Sequence, residues 1–325
     1  MTMVSSAPVV RTFTPTRAPG VVLAIVAAVT AVSSALADPS HGADRILPLA
    51  LLVVRTTTQL AALGTIGTLV LVLCLPGGPA SPAAAAVIRS AAAWAGWWTL
   101  LLTAMFAAEA LDPATAVAHG GLGPDSGELD ARLRWLLAGV VLAAATRILA
   151  RSVRGVVDAW IVLGVAAAGL IPATVTGHAE GSGPFWLITS ALALHVLSVC
   201  VWAGALLAIV MHARGLWSAG VGPATVGRFS KVALACYAGV VAFGVATVFT
   251  QSTLGELFDS PTHLTLLAGK VAILLVLGVA GVTQRRVVLP RLATRGPAVL
   301  VLVAAAELVL MSTALGLAVT LTHTA

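Results

Sequence analysis

Two histidines and a glutamate occur close together in one stretch of the chain. Gly177-His178-Ala179-Glu180 precedes an apolar run from Phe185 that carries His195 about ten residues into its length. Ionisable side chains at membrane depth are costly, so each is a candidate functional residue. On a helix His195 shares a face with Ser198 and Trp202 at i+3 and i+7, while Cys200 points away from it. His263 and Lys270 also stand seven apart on one helical face, and Glu307 and Met311 pair at i+4. Imidazole suits copper, haem iron and zinc alike, and a thioether favours Cu(I). The candidate metal ligands are therefore His178, His195, His263 and Met311. Ser198, Trp202, Lys270, Glu307, Arg55 and Glu180 form a supporting polar seam. Glu256 and Asp259 lie beside the outer set, and His41 and His119 are further external histidines. His212, on the inner side, and His323, in the tail, are set aside.

The elements that position these residues follow from composition. The 325-residue chain is 59% hydrophobic and only 9% charged, too few charges to cover a water-facing surface. Its mean hydropathy is +1.04. Apolar runs long enough to cross about 30 Å of hydrocarbon recur along its whole length. The three cysteines lie inside apolar runs with no C-x-x-C pair, which argues against a disulfide framework or a zinc site. Phosphate loops, nucleophile–base triads and ATP motifs are absent, which argues against primary ATP-driven pumping by this chain alone.

A polar tail, residues 1–19, precedes spans at Gly20–Ala37, Arg45–Leu75, Ala83–Ala110, Leu133–Ala150, Val156–Thr176, Phe185–Met211, Val232–Thr250, His263–Thr283 and Pro297–Leu321. These predict an all-α, polytopic bundle of about nine helices, because only helices satisfy the backbone over runs of this kind in lipid. Ala35-Leu36-Ala37 resembles a signal-peptidase site, but the long leading tail favours a retained first helix. Residues 20–150 form an N-terminal helical part and residues 151–325 the part that carries the candidate site.

Charge sets the orientation. Arg147, Arg151, Arg154, Arg214, Arg228, Lys231, Arg285, Arg286, Arg291 and Arg295 fall on the side of the N-terminal Arg11 and Arg17, with Asp158 as the acid near them. The opposite loops hold Asp38, Asp44, Asp112, Asp125, Glu128, Asp130, Glu180, Glu256 and Asp259. Positive residues favour cytoplasmic loops, so the N-terminus is expected inside and the C-terminus outside. The net charge of +6 is thus a topology signal, not a nucleic-acid surface.

Five charged residues lie within spans. Arg89 and Glu109 are near helix ends and are expected to snorkel to the interface. Arg55, Lys270, Glu307 and His195 count to within roughly 10 Å of one another along the membrane normal, so Glu307 is expected to pair with Lys270 or Arg55.

From Thr176 to Leu321 the chain resembles the CopD/PcoD family of copper-resistance membrane proteins. The likeness rests on Gly177-His178-Ala179, Leu194-His195 with Val201-Trp202-Ala203-Gly204, and Arg228-Phe229-Ser230. It continues with Leu267-Ala268-Gly269-Lys270, Gln284-Arg285-Arg286 and Glu307 in the last helix. It departs at His263, where a Thr-x-Tyr-Gly-like turn is expected, and in having no Met-rich loop. The resemblance implies copper transport or tolerance at a bacterial plasma membrane, with His178 and His195 as first ligands. It also implies an extracytoplasmic copper-binding protein as partner, and a further reading of the chain is an assembly factor that delivers copper to a cuproenzyme. A more distant likeness to HemJ-type proteins, through His195 and Lys270, implies the alternative of a haem b oxidoreductase.

Overall fold

A computed structural model describes residues 46–111, 126–172, 185–251 and 261–324. The expected span Gly20–Ala37 and the loop residues His41, His119, His178, Glu180, Glu256 and Asp259 lie outside these. Eight long helices follow in order: α1 (Ile46–Cys74), α2 (Ala84–Leu111), α3 (Ser126–Ala150), α4 (Val156–Ala168), α5 (Phe185–Ser218), α6 (Gly222–Gln251), α7 (Pro261–Thr283) and α8 (Ala298–Thr324). No strand occurs among the described residues. Six of the eight are long and apolar enough to cross a membrane.

The bundle is built around α1 and α5. Both are buried around most of their circumference through their inner halves: Ile66, Leu69, Leu71 and Val72 on one, Ala205, Leu207 and Ile209 on the other. They cross at Gly67 and Gly204, where a Cβ on either glycine would overlap the other helix's backbone. Lipid supplies no hydrophobic force between helices, so small residues that let backbones touch hold such a crossing together. The helices α2, α3 and α4 pack on the α1 side, and α6 and α8 pack on α5. Large apolar side chains such as Trp160, Val279 and Leu302 face outward, as a hydrocarbon surround demands.

Polar groups within the spans are largely satisfied locally. Thr57, Thr58, Thr65 and Thr68 donate to carbonyls of the preceding turn of α1, so these hydroxyls need no partner in lipid. Several expected ends differ, and α3 starts at Ser126 rather than Leu133. The helix beginning at Val156 stops at Ala168 rather than Thr176, because Pro172 offers no N–H to the Ala168 carbonyl and its ring clashes there. The helices α5 and α6 run past the hydrocarbon, to Ser218 and back to Gly222. Hydropathy marks only the part of a helix that lipid covers, and a basic residue does not end a helix.

At the basic end the helix termini are tied by arginines. Arg228 donates to the Leu75 carbonyl just past α1, at 2.8 Å, and Arg285 donates to the Ser230 carbonyl of α6. Cations here also face the negative ends of α1 and α7. Asp158 Oδ2 accepts from the backbone N–H groups of Arg154 and Gly155, closing the start of α4.

The crossing gives a direct test. Gly67→Ala should destabilise the protein by about 1–3 kcal/mol through overpacking. Gly281→Ala, with open space around its added methyl, should be neutral. Thermal unfolding in detergent would compare the two, and equal midpoints would refute the packing argument.

Candidate functional site

His195 lies on the face of α5 that meets α6. Its Nδ1 is 3.1 Å from the Val240 carbonyl oxygen. A carbonyl only accepts, so Nδ1 carries the proton and Nε2 is the nitrogen left to bind a ligand. The ring rests over Gly244, where a Cβ would come within 3.2 Å of the imidazole. One turn along, Ser198 donates to Leu194 and packs its Oγ against Gly239. Two turns along, Trp202 meets Tyr237 edge to face, ring centroids 5.7 Å apart. The shared face of His195, Ser198 and Trp202 is therefore the α5–α6 contact.

The far side of this contact is α7. The Lys270 ammonium lies within electrostatic reach of His195 and is half-buried. Tyr237 donates its hydroxyl to the Leu274 carbonyl at 3.3 Å, and Gly278 leaves room for the phenol. A seam thus runs between α6 and α7, bounded by His195 and Lys270 at one level and bridged by Tyr237 at the next.

Glu307 is only 5% exposed and accepts a 2.7 Å hydrogen bond from Gln284 Nε2. Gln284 opens a single π-turn, Gln284–Val288, at the basic end of α7; such turns often occur at functional positions. This corrects the expected pairing with Lys270 or Arg55. Gln284 is about fourteen residues beyond Lys270, roughly 21 Å along the helix. The depth count assumed that spans end level, whereas the α7–α8 register sets Glu307 opposite Gln284.

Arg55 belongs to a different group. It lies within electrostatic reach of Glu109 on α2 and Arg132 on α3. Arg132 Nε is 3.1 Å from Glu109 Oε2. Glu109 is 2% exposed and does not snorkel, a second correction. Counting residues to the helix end missed that Arg132 on the adjacent helix supplies its counter-charge.

Of the other candidates, His263 falls in the first turn of α7 and Met311 is half-buried on α8. Among the described residues no three His, Cys, Asp or Glu side chains group to hold a metal ion. The cysteines are free thiols, with Cys74 and Cys200 buried. Tyr237 was not singled out from sequence. It carried a usable signal, as the only tyrosine in the chain and placed within an apolar span.

Helices of this length and polarity define a multi-pass helical membrane protein. Residues 223–321, which span α6, α7 and most of α8, match the family model of copper resistance protein D. No curated protein and no solved structure shows a significant match. The matched segment holds Tyr237, Gly244, Lys270, Gln284 and Glu307, while His195 reaches it from the preceding helix.

The Glu109–Arg132 pair makes a sharp prediction. Arg132→Met should cost about 3–5 kcal/mol by removing the paired partner of a buried carboxylate, and Arg132→Met with Glu109→Leu should recover most of that loss. Unfolding midpoints of the two variants decide it; equal destabilisation would mean the pair is not coupled.

Proposed function

We propose that the protein carries copper ions into or across a bacterial plasma membrane and so confers copper tolerance, with no chemical conversion of its own. The observation that supports this most is the copper resistance protein D match lying on the helices that face His195. On this reading His178 and His263 capture the ion on the outer side and pass it to His195. The Val240 carbonyl fixes the imidazole tautomer and aims Nε2 at the ion, as outer partners do for metal-binding histidines. Met311 offers a soft donor suited to Cu(I). Ser198, Trp202 and Glu180 complete the lining of the path, and Lys270 and Glu307 set its charge. Arg55 balances Glu109 away from the path. An extracytoplasmic copper-binding protein or a cuproenzyme is the partner that would exchange copper with the outer histidines.

Copper uptake into cells, with and without the protein, tests this. His195→Ala should reduce uptake at least about tenfold, and Gly244→Val, which pushes the ring off its carbonyl, should approach the same loss. Tyr237→Phe should keep the fold and change uptake by less, since it removes one hydrogen bond of about 1 kcal/mol. Wild-type uptake in His195→Ala would end the proposal. A reduced-minus-oxidised Soret band in the purified protein, lost in His195→Ala, would replace it with a haem b protein.

A further inference from the structure

A second site stands on the opposite half of the bundle, outside the CopD segment. A groove of about 750 Å³ lies between α2 and α3 at the basic end. Arg89, Arg147 and Arg151 rim it, and Ile88, Trp97 and Leu100 line its length. The Arg147 guanidinium lies directly over Gly96, whose missing side chain makes the space. No carboxylate among the described residues pairs with any of the three arginines.

Two properties together specify an occupant. Three arginines border the groove with no acid paired to them among the described residues, and planar guanidinium groups suit a phosphate group. The remaining wall is apolar and follows α2 from Ile88 to Leu100, about 18 Å. That is slightly more than one leaflet of a ~30 Å hydrocarbon core. Trp97, 59% exposed, presents an amphipathic ring on the same wall. A free phosphate would fill the arginine end and leave the apolar wall bare. A zwitterionic lipid would fill the wall but bring its own cation to the arginines. We propose that this groove is a binding site for an anionic phospholipid, its phosphate on Arg89, Arg147 and Arg151 and one acyl chain along Trp97 and Leu100. Basic pockets between spanning helices on the side rich in arginine suit anionic headgroups on general electrostatic grounds.

The test uses the full chain, purified and stripped of lipid in detergent, then given an equimolar mixture of dioleoyl phosphatidylglycerol and dioleoyl phosphatidylcholine. Native mass spectrometry counts the lipids retained. The wild type should keep phosphatidylglycerol over phosphatidylcholine by at least about tenfold, given three cations near one phosphate. The combined R89Q, R147Q and R151Q variant should lose that preference. Ala93→Trp, which fills the exposed groove wall without removing any charge, should lower phosphatidylglycerol retention. This second variant keeps the test decisive if the triple variant folds poorly. Equal retention of the two lipids by the wild type, or full retention in Ala93→Trp, would overturn the proposal. So would competition by millimolar inorganic phosphate, which would assign the arginines to a free anion.

Discussion

The contact between Gly67 and Gly204 is the constraint on which the rest of the bundle depends. In lipid, burying a leucine against another leucine gains little over leaving it in hydrocarbon, so helices associate where their surfaces fit closely. Two glycines let α1 and α5 touch backbone to backbone, and that contact fixes their crossing point and depth. Once α1 is set, α2 and α4 have a surface to pack on and α3 packs on those two; once α5 is set, α6 and α8 follow. The face of α5 that carries His195, Ser198 and Trp202 is thereby turned toward α6. A lateral shift of this crossing would move His195 away from the Val240 carbonyl, which ties the candidate site to a glycine pair distant from it.

The two halves treat polarity differently. The N-terminal half neutralises its buried charge with an ion pair, Glu109 and Arg132, near Arg55. A pair of this kind compensates the desolvation of each partner and fixes how α2 and α3 sit together. The C-terminal half relies instead on hydrogen bonds between neutral or singly charged groups: His195 to Val240, Tyr237 to Leu274, Gln284 to Glu307. Each bond joins a different pair of neighbours: α5 to α6, α6 to α7, and the end of α7 to α8.

Most of the fold was legible in the residues. Apolar length located the helices to within a few residues at most ends, since hydrocarbon thickness imposes it. The segregation of arginine to one end was equally plain. The motif fragments Arg228-Phe229-Ser230 and Gln284-Arg285-Arg286 were visible as separate pieces; that Arg285 reaches Ser230 was not. The helical face of His195, Ser198 and Trp202 followed from spacing alone, because that geometry is internal to one helix. Its partners did not, because they depend on which helix lies opposite and at what height.

That division has one physical origin. Sequence by itself determined whatever arises within a single segment: which stretches lipid can surround, which end is basic, and which residues share a face. These depend on local dihedrals and on transfer of each residue into hydrocarbon. Only the tertiary structure decided the pairings across helices, such as Glu307 with Gln284 rather than Lys270, and Glu109 with Arg132 rather than water. Those depend on relative height and rotation of neighbouring helices. Both are set by where small residues allow backbones to meet, and no property of either segment alone encodes that.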